Sequence, residues 1–170
     1  EIGEETRIKG MDDEYEIHTV FKRWIQAVMP EYPNPEELVD ELYNYELQTE
    51  IMNAYLDPTI VAMVEEIPHE KLIYISDFYA GVSFINEILS KIQCPLQFDQ
   101  QYVSCDSGYN KRSGRLFEHI LSDMQIDPEM QLHIGDNQYS DVEIPRSKGI
   151  NTRQYLPEEE HKIRIQKEKK

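Results

Sequence analysis

The first third of the chain is patterned for helices. In "DDEYEIHTVFKRWIQAVM" the apolar residues Ile17, Val20, Phe21, Trp24, Ile25 and Val28 recur at steps of three and one, which lines them along one face of an amphipathic helix. That face, Trp24 included, is expected to be buried. "MPEYPNP" breaks the pattern. Asn34 then stands as a cap with Pro35 at the first helical position, and a second helix is expected through "EELVDELYNYELQTEIMNAYL". Asp57 and Pro58 open a third in the same way, "DPTIVAMVEEI", which Pro68 ends.

From residue 71 the pattern changes. "KLIYIS" (71–76) is a short β-rich run, and "GVSFINEILSKIQ" follows it with helical spacing at Val82, Ile85, Ile88, Leu89 and Ile92. "QYVSCD" (101–106) is a second strand candidate. "SGRLFEHILSDM" is a helix with Leu116, Phe117, Ile120, Leu121 and Met124 on one side. "MQLHIGD" (130–136) is a third strand, "SDVEIPRSKGI" a short proline-interrupted helix or turn, and "NTRQYL" a weak fourth strand. Strands alternating with helices imply βα crossovers and a parallel sheet, so the fold class is α/β. The boundary between the helical and α/β parts falls near residues 57–70.

In an open parallel sheet, ligands bind outside the carboxyl ends of the strands. The first strand ends in Ser76 and Asp77. The second ends in Ser104 and Asp106, with Lys111 following just ahead of a helix. The third ends in Gly135, Asp136 and Asn137, with Asp141 beyond. Taken singly, each is ordinary: a Ser at a strand end is commonly a turn residue, a lysine is commonly solvated, and Gly-Asp is commonly a turn. The ordered set is more specific. A hydroxyl and a lysine suit a phosphate group. Paired carboxylates without thiolate or imidazole ligands suit Mg²⁺, a hard cation that prefers oxygen.

Charge and composition narrow the function. The formal net charge is -16. A surface that acidic repels phosphate backbones, so nucleic-acid binding through the body of the chain is excluded from the reading. The last ten residues, "HKIRIQKEKK", are basic and read as a solvated tail. No apolar stretch approaches the length of a membrane span, and the N-terminus carries no apolar signal region. The two cysteines, Cys94 and Cys105, lack metal-like spacing and read as buried reduced thiols, which points to the cytoplasm.

The ordered set resembles the haloacid dehalogenase-like hydrolase superfamily. Ser76 in "LIYIS" matches that family's second motif, Lys111 in "NKRSG" its third, and "GDNQYSD", with Asp136 and Asp141, its acidic fourth. The resemblance covers residues 57–156 and is nearest to a subgroup with a Ser-Asp-aromatic second motif that is associated with bacterial glycosyltransferases. It implies a Rossmann-like parallel sheet of order 5-4-1-2-3, with residues 1–56 as a helical cap, 57–156 as the core and 157–170 as a charged tail. It also implies a Mg²⁺-dependent phosphohydrolase acting on a small phosphorylated substrate through an aspartyl-phosphate. Ser76 would donate to a phosphoryl oxygen, Lys111 would balance phosphate charge, and Asp136 and Asp141 would serve the metal. Asp77 is a further substrate-binding candidate.

One motif is not found. The family's first motif is an apolar strand ending in Asp-x-Asp, and no Asp-x-Asp follows an apolar run here. The expected sheet therefore lacks its central, nucleophile-bearing strand, which would separate 131–135 from 71–76. The chain reads as an excerpt of a longer polypeptide, whose missing N-terminal segment or attached glycosyltransferase domain would be its partner. Two function classes follow: a phosphohydrolase whose nucleophile lies upstream, or a non-catalytic module that keeps the fold and uses its acidic edge for binding or regulation. Asp77 as a degenerate nucleophile fits poorly, because no βα unit fits between Ser104 and Lys111. A receiver-type phosphoacceptor domain needs its Lys last, and Lys111 precedes Asp136.

Overall fold

The computed structural model describes residues 2–157. The tail reading therefore lies, from residue 158 onward, outside the described residues. Two compact units divide between Gly108 and Tyr109: Glu1–Gly108 and Tyr109–Lys170.

The first unit begins with α1 (Ile2–Ile8), α2 (Ile17–Val28), α3 (Pro35–Asn53) and α4 (Pro58–Glu66). Glu16 caps α2 by accepting from Thr19 N at 3.2 Å, and Asp57 caps α4 by accepting from Thr59 N at 2.8 Å. Asn34 holds the expected position ahead of α3 but makes no capping bond; its amide donates instead to Glu37. The parallel pair β1 (Ile73–Ser76) and β2 (Gln100–Val103) follows, joined by α5 (Val82–Lys91), with Ile73 opposite Gln100 and Ser76 opposite Val103. The short α6 (Ser104–Ser107) leaves β2 directly, ending the strand sooner than the apolar pattern suggested.

The core of this unit joins the helical region to the α/β region. Ile17 of α2 and Leu47 of α3 pack with Ala80 and Phe84, flanked by Phe78 and Tyr79. Ile17 N donates to Tyr79 O at 2.8 Å. The α2–α3 hairpin thus sits on the loop that leaves the carboxyl end of β1. The expectation for Trp24 was wrong: it is 51% exposed. The buried positions of α2 are Ile17 and Ile25, and Phe21, partly buried, packs against the cluster of Ile17, Leu47, Ala80 and Phe84, so the covered positions follow an i, i+4 row. That row leaves Trp24 and Val28 to solvent in the last turns.

The second unit holds α7 (Arg115–Met124), a single 3₁₀ turn (Pro128–Met130), β3 (Leu132–Gly135), a wide helical turn (Gln138–Glu143), α8 (Ile144–Ser147) and β4 (Asn151–Gln154). β3 and β4 are parallel, Leu132 opposite Asn151 and Gly135 opposite Gln154. Leu116, Phe117 and Ile120 of α7 are buried as their spacing predicts, together with Val142 and Ile150. Among the described residues β1 pairs with β2 alone and β3 with β4 alone. No helix of the described residues is long and apolar enough to cross a membrane.

Candidate functional site

In the first unit the site edge is the turn that follows β1. Ser76 is the last residue of the strand, half-buried, and its hydroxyl has no hydrogen-bond partner among the described residues. Asp77 beside it is exposed. Two groups at the end of β2 pin the turn. Phe78 N donates to the buried hydroxyl of Ser104 at 3.1 Å, and Val82 N at the start of α5 donates to Asp106 Oδ2 at 2.8 Å. Gly81 permits that second bond: a Cβ there would lie 2.4 Å from Asp106 Oδ1. Ser104 and Asp106, also strand-end residues, are thus structural supports.

Nearby, Tyr79 donates to Glu46 Oε1 at 2.7 Å, with Glu50 Oε1 at 3.0 Å from the same oxygen. Burial, then the two carboxylates, pushes the Tyr79 phenol far above its ordinary range. Burial also pushes the Cys105 thiol up to about 12, reinforced by Asp106, Glu16 and Glu14, which disfavours its thiolate.

In the second unit the site is built around Asp141, which is 1% exposed. Lys111 Nζ donates to Asp141 Oδ1 at 2.6 Å, and His133 Nε2 lies 3.0 Å from the same oxygen. Asn137 N donates to Asp141 Oδ2 at 3.0 Å. Burial pushes the Asp141 carboxyl up, but the bonds from His133, Lys111 and Asn137 outweigh it and hold the group well below the usual carboxylate range. Local chain geometry delivers these partners. The "NKRSG" loop is closed by Asn110 Oδ1 accepting from Ser113 N at 2.8 Å and by Gly114 in the left-handed region at φ 82°. It places Lys111 ahead of α7. Asn137 Oδ1 accepts from Tyr139 N and Ser140 N, which starts the wide turn that brings Asp141 back under β3. Gly135 lets the carboxylate come that close, since a Cβ there would lie 2.5 Å from Asp141 Cγ.

Of the residues read from sequence, Lys111 and Asp141 are brought into direct contact. Asp136 follows β3 and is exposed, while Asn137 serves as a cap. Both oxygens of Asp141 are occupied by protein donors, so its geometry is that of an orienting carboxylate. Among the described residues no group of three His, Cys, Asp or Glu side chains could hold a metal. Sequence reasoning missed His133. Its signal was alternation: Gln131 and His133, the polar alternates of "QLHIG", are buried, while Leu132 is 42% exposed.

No family model matches the chain, and no curated protein matches it. Solved structures do. A 2-haloacid dehalogenase from Pseudomonas syringae pv. Tomato DC3000 matches with a TM-score of 0.59 at 17% identity, over 82% of this chain and 60% of that one. A hydrolase from Streptococcus pneumoniae TIGR4 matches with a TM-score of 0.50 at 19% identity, over 84% of this chain and 72% of that one. The fold is therefore the haloacid dehalogenase-like α/β fold. The chain spans 60% of the length of the Pseudomonas structure.

Proposed function

We propose that this chain carries the cap and phosphate-handling parts of a Mg²⁺-dependent phosphohydrolase acting on a small phosphorylated substrate in the cytoplasm. The observation that carries the reading is the pair of half-buried Lys111 and buried Asp141 at 2.6 Å, set beside the carboxyl end of a parallel strand. A cation held there by a deeply ionised carboxylate is fixed in place, and it can balance phosphoryl charge. Ser76, whose hydroxyl at the end of β1 has no hydrogen-bond partner among the described residues, supports the donor role that the resemblance implies for it.

Asp136 fits one Mg²⁺ ligand: it is an exposed carboxylate at a strand end, and Mg²⁺ is commonly held by one or two carboxylates, substrate phosphate and water. Bound there, the metal would offset repulsion between carboxylate and phosphate. Asp141 would serve that site by orienting Lys111. The aspartyl nucleophile would come from an upstream segment of the parent polypeptide.

The second reading, a non-catalytic module of the same fold, is favoured by one observation: no apolar run in the sequence ends in Asp-x-Asp. Turnover separates the readings. The 170-residue chain alone is expected not to hydrolyse a generic phosphomonoester with Mg²⁺. A parent chain with an upstream Asp-x-Asp strand is expected to do so, and to lose activity in Lys111→Ala. An inactive parent with that strand would favour the binding module. Turnover by the chain alone, abolished in Asp77→Asn, would revive Asp77 as nucleophile.

A further inference from the structure

We infer that His133 is a positioning residue, which sets the direction in which Lys111 is presented. The inference deepens the proposed function, because its meaning for catalysis rests on Lys111 handling an anion.

Three observations support it. First, Asp141 Oδ1 receives both Lys111 Nζ, at 2.6 Å, and His133 Nε2, at 3.0 Å. A carboxylate oxygen offers two acceptor directions. With the imidazole in one, the ammonium is confined to the other. Second, the imidazole is itself fixed. It is buried, it is carried by a paired strand, and its ring meets Phe117 edge-on at 5.0 Å between centroids. Third, Asp141 cannot turn to offer a different edge, since Oδ2 accepts from Asn137 N at 3.0 Å and the side chain lies against Gly135. An ionised Asp141 has no proton to give, so Nε2 carries the hydrogen and His133 is the donor.

A buried histidine in this place could instead be packing alone, and substitution separates the two roles. His133→Phe keeps an aromatic ring against Phe117 and removes the donor. His133→Gln keeps an N–H donor at about the same reach. The readout is the side-chain order of Lys111, measured by NMR on its ε-methylene in the full chain. Wild type is expected to be ordered. His133→Phe should drop Lys111 into the flexible range, an order parameter below about 0.6, and His133→Gln should restore it. Unchanged Lys111 order in a folded His133→Phe overturns the inference. If His133→Phe fails to fold, His133→Gln decides: ordered Lys111 there, lost on further change of Asp141 to Asn, supports positioning through the carboxylate, and Lys111 order indifferent to Asp141 overturns it. Titration with inorganic phosphate keeps the two claims apart. Wild type that binds no phosphate defeats the proposed function while the Lys111 result still judges His133. Where it does bind, His133→Phe should weaken the affinity roughly tenfold, the size of one misplaced charge-assisted bond.

Discussion

Asp141 ties together the second unit, and its ionisation makes acid stability a test of its contacts. Its folded carboxyl lies below the ordinary value because His133, Lys111 and Asn137 together overcome the cost of burial. A depressed folded pKa contributes stability that is fully present above the unfolded value, near pH 4, and is lost as pH falls through the folded value. The expected outcome is an acid limb in which wild type loses on the order of 2 kcal/mol that Asp141→Asn does not lose. Urea unfolding at a series of pH values from 7 downward measures it. Parallel acid limbs for the two proteins would show that the three bonds do not favour the charged form. Lys111 and Asp141 were legible in the sequence because each stands after a strand, at a turn, where apolar patterning stops. His133 was not, because the alternation of Gln131 and His133 with Leu132 over so short a run does not say which face is buried.

At the scale of elements, the helices and strands follow apolar spacing closely, and the departures have local causes. The α2 pattern identified a helix and a face, but of that face's six residues only Ile17 and Ile25 are buried. Which part of an apolar face is covered depends on the neighbouring element, and sequence spacing does not carry that. Trp24 makes this measurable, being the single tryptophan of the chain. At 51% exposure its fluorescence should be red-shifted and readily quenched by acrylamide in the folded full chain. A blue-shifted, quench-resistant signal would mean that the last turns of α2 are covered. β3 departs in the opposite way. In β3 His133 is inside and Leu132 outside, so a rule that turns apolar residues inward picks the wrong face. Asp141 reaches His133 on that inner face, and the local override of the pattern marks the candidate site.

For the whole molecule, alternating strands and helices made the α/β class legible, and the order of Ser76, Lys111, Asp136 and Asp141 along the chain made the fold family legible. The division at Gly108 was not, because no change of composition marks it. Among the described residues there are two parallel pairs: β1, paired with β2, ends in Ser76, and β3, paired with β4, is followed by Asp136. Each pair joins a mainly apolar strand to a more polar one, "IYIS" to "QQYV" and "LHIG" to "NTRQ". Polar strands suit sheet edges, whereas apolar strands suit sheet interiors. The central claim concerns the second unit by itself: Lys111, held by Asp141, is a phosphate-handling cation served by Mg²⁺ at Asp136. Isothermal titration of the full chain with inorganic phosphate, with and without Mg²⁺, tests it most directly. The account predicts binding that strengthens with Mg²⁺ and weakens ~10–100-fold in Lys111→Ala, the worth of one charge-assisted hydrogen bond. Phosphate binding that is indifferent to both Mg²⁺ and Lys111, or no binding at all, would contradict it.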